Sequence, residues 1–342
     1  MVACPVLGLV LFGTSSTLLC KTLLSMQVTI AGTSYTFAKP AFVTFLVCFA
    51  NLSTVFIGVR YGLSWSVITR GAVLKCAGLA IVDVLAVTIM QSGLVFITPS
   101  ASLMLRMASI AFAALFRWIA FRSELSRRQL LGVLVLVLAL AVVVWSVSMQ
   151  HMGPYAVLGC GLTVLAQLFR GALLVAEEMT MKSLPALGVS AGEGLWGVTL
   201  MSTVVLPAMS AIPGSDHGAL EWLPGTLDLL EHSSLLVCLA GTYVMSVCLE
   251  SACGMMVTDI LSSVHRSFLQ FGVRIMTVWC ADLLLFWASA GRLGEPWTPA
   301  SGVQGIGFSL LLVSLLLYFK GAPARAPKTQ SEPLLSNEDD SR

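Results

Sequence analysis

Two stretches decide how this chain is read: Thr98-Pro99-Ser100-Ala101-Ser102-Leu103-Met104-Leu105-Arg106 and Thr258-Asp259-Ile260-Leu261-Ser262-Ser263-Val264-His265-Arg266. Each carries a threonine, a serine four residues on, and an arginine four residues beyond that. Every residue of the second stripe stands 160 positions after its counterpart in the first. Both stripes lie in otherwise apolar runs. Eight residues of helix rise about 12 Å, so a threonine at the membrane edge puts its arginine near the midplane. A guanidinium there is costly and faces a protein interior or a watery cavity, where it marks a pathway. Two such sites related by a repeat point to a transporter.

Composition agrees. The 342 residues are 57% hydrophobic and 11% charged, with mean hydropathy +0.91, whereas soluble domains carry roughly 25% charged residues. The expected fold class is an all-α integral membrane protein whose partners are membrane lipid and a small-molecule solute. A net charge of +2 gives no reason to expect nucleic acid. The nine cysteines, among them Cys20, Cys48, Cys160 and Cys280, sit in or beside apolar segments without C-x2-C pairing. They read as packed thiols, so no metal and no cofactor is expected. The first apolar run lacks a basic leader and an A-x-A site and reads as a retained span.

Ten runs have membrane-spanning length: Val2–Cys20, Ala41–Val59, Gly71–Met90, Thr98–Phe121, Gln129–Val147, Tyr155–Met179, Gly194–Ile212, Leu235–Cys253, Val257–Phe286 and Val303–Phe319. The ninth is long enough to need tilt or a broken end. The longest loop, Pro213 to Ser233, holds Asp216, Glu221, Asp228 and Glu231 and no Lys or Arg. With ten spans, Arg60, Arg70, Arg117, Arg122, Arg127, Arg128, Lys182, Lys320, Arg325, Lys328 and Arg342 share one side with both termini. Only Lys21, Lys39 and Arg292 fall on the other. That bias places both termini in the cytosol.

Five is odd, so two five-span halves run in opposite senses, an inverted repeat with its site at the midplane between them. The expected units are 1–150, 151–319 and a cytosolic tail, 320–342. Spans five and ten are uncharged and are expected at the periphery, against lipid or a second copy in a homodimer.

The second stripe continues at helical spacing through Gln270 and Arg274, making a face too polar for lipid. The candidate cavity residues are Thr98, Ser102, Arg106, Gln167, Glu178, Ser262, Arg266, Gln270 and Arg274. Glu177 and Glu178 project to different faces, so at most one reaches a central cavity. The plainer reading is that Arg266 and Arg274 pair with Glu250 and Asp282 to hold helices together. Asp83, deep in the third span, is either a proton-coupling carboxyl or the counter-ion of Arg106. His265 points about 100° away from Arg266 and reads as a packed polar residue. The expected buried cations are Lys75, Arg106, Arg170, Arg266 and Arg274, against Asp83, Glu177, Glu178, Glu250 and Asp282. These signs nearly balance. Arginine at the end of both stripes, a good fork for carboxylate or phosphate, tilts the substrate towards an anion or zwitterion.

No phosphate-binding glycine loop, H-E-x-x-H, nucleophile elbow or intramembrane G-x-G-D occurs, and no enzyme is expected. Asn51-Leu52-Ser53 fits a glycosylation sequon but falls inside a span. The tail carries Glu332-Pro333-Leu334-Leu335, which looks like a dileucine signal for a sorting adaptor, although Gln330 stands where such signals have an acid.

Several features resemble the drug/metabolite transporter superfamily, and within it the F-type branch of the solute carrier 35 family, akin to nucleotide-sugar and chloroquine-resistance transporters. They are Gly13-Thr14 with Leu18 and Lys21, Thr98-Pro99-Ser100-Ala101-Ser102 leading to Leu105-Arg106, Ala166-Gln167 with Glu177-Glu178, and Glu193-Gly194-Leu195-Trp196-Gly197. The resemblance implies ten helices in two inverted halves, a cavity lined by spans one, three, four, six, eight and nine, and alternating access gated by the three–four and eight–nine hairpins. The expected function is secondary transport of a small organic solute across an endomembrane, lysosome- or vacuole-like rather than Golgi. The alternatives are proton-coupled export of cationic amino acids, peptides or drugs, and a non-transporting scaffold.

Overall fold

Lipid offers no partner to a backbone N–H or C=O, so apolar runs of this length satisfy themselves as helices. The computed structural model describes residues 3–30, 33–60, 70–121, 126–149, 155–260, 266, 269–270, 274–289, 291 and 298–321. Among them run α1 (Ala3–Ser25), α2 (Pro40–Arg60), α3 (Arg70–Phe96), α4 (Pro99–Arg106), α5 (Ala108–Phe121), α6 (Arg127–Met149) and α7 (Ala156–Thr180). There follow α8 (Ala186–Leu200), α9 (Leu206–Ala211), α10 (Leu223–His232), α11 (Ser234–Ile260), α12 (Arg274–Ala288) and α13 (Pro299–Gly321). Eight of these helices, counting α8 with its continuation through α9 as one, are long and apolar enough to cross a membrane. The chain is an all-α membrane protein. Hydroxyls on the helices turn back on the preceding turn: Thr14, Thr163 and Thr258 donate to Val10, Gly159 and Gly254 carbonyls at 2.8, 2.9 and 3.0 Å.

The structure departs from the sequence reading in four places. In one, α11 continues to Ile260, so Thr258, expected in the ninth run with Arg266, lies on the helix of the eighth. The fourth run is not one helix. It breaks at Met107, whose N–H bonds Met104 at 3.2 Å while its carbonyl accepts from Ile110 at 3.0 Å, so Arg106 ends α4. The seventh begins at Ala186, before the expected Gly194, and passes through a π-helical turn at Met201–Val205. Pro207 follows, and the missing proline N–H accounts for a widened turn there. A small antiparallel hairpin, β1 (Gln27–Ile30) with β2 (Thr33–Thr36), links α1 to α2 in register Gln27↔Thr36.

The helices pair across the chain: α1 with α11, α3 with α7, α2 with α8, and α6 with α13. Small residues let the closest pairs meet. A Cβ on Gly93 of α3 would lie 3.0 Å from the Gly159 carbonyl of α7, and one on Gly159 would lie 3.0 Å from the Gly93 carbonyl. Gly132 of α6 faces α13 with its carbonyl accepting from Ser314 Oγ at 2.8 Å. Helices α6 and α13, expected at the periphery, thus lie against each other. They still expose Leu130, Leu134, Val137 and Trp145 on one helix and Ile306, Val313 and Leu316 on the other, as lipid contact requires.

At the end of the bundle where α1 meets α2, a short extended strand β3 (Pro213–Asp216) folds over the helices. Glu221 is buried and accepts from the first free N–H groups of α2, Ala41 at 2.8 Å and Phe42 at 2.7 Å. This is a carboxylate placed on a helix N-terminus. Asp216 pairs with the buried Lys39 and accepts from the Trp222 N–H at 2.6 Å. His217, left-handed at φ 51°, stacks between Tyr35 and Trp222. Burial raises both carboxyls. At Glu221 it prevails over the two N–H groups, and at Asp216 the Lys39 and Trp222 hydrogen bonds outweigh it and hold the carboxyl below its ordinary value.

A folded-state value below the unfolded one gives stability that is present above the unfolded value and lost as pH falls through the folded one. Asp216→Asn is therefore expected to lower the melting temperature at neutral pH. The deficit should shrink once the pH drops below the ordinary aspartate range, as followed by thermal unfolding of purified protein across a pH series.

Candidate functional site

The midplane of the bundle encloses a cavity of about 130 Å³. Helices α1, α2, α3, α4, α7 and α11 and the segment leading into α12 all contribute to it. Four arginines reach it: Arg106, Arg170, Arg266 and Arg274. Each had to leave a lipid-facing position, and three are met by a carboxylate from a neighbouring helix.

Arg170 of α7 donates to Asp83 of α3 at 2.6 Å. Arg266 donates to Glu177 of α7 at 2.8 Å, with the two side chains 3% and 1% exposed. Arg274, at the start of α12, pairs with Glu250 of α11 and also donates to Ser16 at 3.2 Å and to Thr17. Ser16 in turn donates to Glu250 at 2.5 Å. Two glycines make room for these heads. A Cβ on Gly13 would sit 2.9 Å from Arg274 Nη1, and one on Gly254 2.9 Å from Arg266 Nε.

Arg106 is different. Among the described residues no carboxylate lies within ion-pair distance of it, and its buried Nε, like those of Arg266 and Arg274, has no acceptor there. Its electrostatic neighbours are Arg274, Cys20, Glu250 and Tyr243. Beside it runs a chain of neutral groups: Cys20 Sγ donates to Gln91 Oε1 at 3.2 Å, and Gln91 Nε2 donates to the Tyr243 hydroxyl at 3.4 Å. On the far side of the cavity Ser251 donates to Asn51 at 2.6 Å. Asn51 is thus a buried cavity residue.

Of the residues singled out from the sequence, Arg106, Gln167, Arg266, Gln270, Arg274 and Asp83 line the cavity. The others do not. Thr98 caps α4, accepting from Ala101 N at 3.4 Å, and Ser102 is buried away from the cavity with no partner for its Oγ among the described residues. Of that stripe only the arginine, at the end of α4, lines the cavity. Thr258 donates to its own helix, and Ser262 and His265 lie outside the described residues. Glu178 is replaced by its neighbour: Glu177 stands seven residues after Arg170, on the same face of α7, and Glu178 is turned about 100° aside. Asp83 meets Arg170, neither Arg106 nor Lys75, because α3 packs on α7. Arg266 takes Glu177 instead of Glu250, and the Asp282 side chain is not among those described.

Sequence reading passed over Ser16 and Thr17 and took Cys20 as a packed thiol, although their spacing on α1 with Gly13 marks one polar face. It also gave no role to Glu193, a buried carboxyl of α8 whose Oε1 has no partner among the described residues. Glu193 lies behind the lining, and its charged neighbours are Glu177, Asp83, Arg170 and Arg266.

No family model matches the chain. A curated relative, an uncharacterized protein of Schizosaccharomyces pombe, is 24% identical over 243 residues, covering 70% of this chain and 72% of the relative. One solved structure, described only as a protein crystal structure, aligns over 90% of this chain and 95% of its own with 18% identity and a TM-score of 0.46.

Breaking a buried ion pair strands a charge at a cost of about 3–5 kcal/mol, whereas removing an unpaired one strands nothing. Glu177→Gln is expected to lower the unfolding free energy by an amount of that order, and Arg106→Gln to leave it near wild type. Denaturation of the two variants in the same detergent makes the comparison.

Proposed function

We propose that the chain is a secondary transporter that moves a small anionic or zwitterionic organic solute across an endomembrane by alternating access. The observation that carries the reading is the midplane cavity holding four arginines against three paired carboxylates. A structural role accounts for the three paired guanidiniums and leaves Arg106 without one. A non-transporting scaffold would have no use for that cost. Export of cations, the second reading, draws on the acids of the same cavity, but all three that touch its arginines are already engaged.

The helix pairings support the inverted repeat of ten crossings. If the first span corresponds to the sixth and the third to the eighth, a two-fold axis exchanges the α1–α11 pair with the α3–α7 pair. It maps α2–α8 and α6–α13 onto themselves. The α5–α7 and α1–α12 contacts are likewise exchanged. In that scheme α4–α5 form one broken crossing, and α12 with the residues before it forms another. Units 1–150 and 151–319 would then rock about the cavity, with both termini cytosolic and a second copy able to dock on α6 or α13.

Coupling is assigned to the Asp83–Arg170 pair. A proton on Asp83 releases Arg170, so occupancy of the pair links proton and solute in one cavity. Uptake of a metabolite panel by reconstituted protein tests the reading. Concentrative, proton-dependent uptake of at least one anionic or zwitterionic solute is expected, and Asp83→Asn is expected to retain exchange while losing the proton dependence. A panel with no transported solute would remove the reading. The tail lies outside the described residues. Its Leu334-Leu335 pair is expected to direct the protein to a lysosome- or vacuole-like compartment through a sorting adaptor, and imaging a tagged Leu334→Ala, Leu335→Ala variant should show it displaced.

A further inference from the structure

We infer that the cavity binds a small organic monocarboxylate, with Arg106 as its charge partner and a short aliphatic body lying against Val87, Met90 and Val247. The inference rests on the transport reading for its purpose but on geometry for its substance. Three of the four cavity arginines are neutralised within the protein, Arg170 by Asp83, Arg266 by Glu177 and Arg274 by Glu250. Arg106 alone of the four has no carboxylate within ion-pair distance among the described residues, so one positive charge remains on it. Glu193 does not cancel it, for its charged neighbours are all of the other cluster.

A ligand of one negative charge closes this account. A dianion would leave an uncompensated negative charge at the membrane midplane, and a cation would add to the positive one. The planar guanidinium fork matches a carboxylate with two parallel hydrogen bonds. Around it the neutral donors Gln91 and Tyr243 and the Cys20 thiol supply polarity without charge. Val87, Met90 and Val247, with Val47, Ala86 and Ala166, form the apolar part of the wall and suit a short alkyl chain, while the polar groups on the rest of the lining include Asn51, Gln167 and Gln270. A water needs about 10–15 Å³ of such volume, so 130 Å³ has room for on the order of ten. That is enough for a short carboxylic acid, and it is small beside drug-sized pockets.

The test is equilibrium binding of labelled butyrate to the purified full chain, with unlabelled competitors. Wild type is expected to bind saturably. Valerate should compete, while inorganic phosphate, succinate and butylamine compete poorly. Arg106→Gln should weaken butyrate binding by about tenfold or more, the loss of a charge-assisted bond, and Arg106→Lys should recover part of it. Melting curves of each variant accompany the binding, and a second variant covers a misfolded Arg106→Gln. Glu250→Gln keeps the hydrogen bond to Ser16 but frees the charge of Arg274, so succinate should now compete better than against wild type. Absence of butyrate binding, unchanged affinity in folded Arg106→Gln, or succinate outcompeting butyrate on wild type would each overturn the inference. Butyrate binding without uptake of any solute would keep the site and remove the transporter. Uptake of other solutes that butyrate neither inhibits nor accompanies would do the reverse.

Discussion

The Arg266–Glu177 bond, almost wholly out of reach of solvent, is the interaction on which the middle of this bundle depends. A charge surrounded by hydrocarbon must find its opposite or leave, and this pair joins α7 to the stretch before α12. With it go Asp83–Arg170 between α3 and α7 and Glu250–Arg274 between α11 and α12. Helices from both halves of the chain are thereby fastened at one depth. Apolar packing between them is non-directional and would tolerate rotation about each axis. The ion pairs do not, because a turn of one residue carries a guanidinium about 100° away from its acid.

That same 100° explains what was legible beforehand and what was not. The helical membrane class, most of the long apolar helices and the presence of Arg106, Arg266, Gln270 and Arg274 at the cavity followed from hydropathy and spacing alone. The pairings did not, since choosing Glu177 over Glu178, or Arg170 over Arg106 for Asp83, requires knowing which helices touch and at what rotation. Ser16 and Thr17 escaped notice, and Cys20 read as a packed thiol, because uncharged small residues occur on many membrane helices as ordinary packing. The break at Met107 carried no proline or glycine to announce it.

The loop acids were legible as charges but not as structure. From the sequence Glu221 and Asp216 are only acids of the longest loop, whereas they bind the start of α2 and the buried Lys39. The sequence distance of about 180 positions between Ala41 and Glu221 hides the contact from any local pattern. Both sit at the end of the bundle where the β1–β2 hairpin lies, and together they tie the two halves at their rim as the arginine pairs tie them at their middle.

The contact of Gly93 with Gly159 has a mechanical consequence. Where two helices interlock side chains, one cannot roll on the other without lifting ridges out of grooves. At this point the two glycines bring α3 and α7 backbone to backbone, with Thr163, Phe96 and Ile97 standing alongside. Fewer side chains interlock here than at an ordinary crossing, so this is a natural fulcrum. The Asp83–Arg170 bond, ten residues along α3, sits at the end of the lever that turns about it.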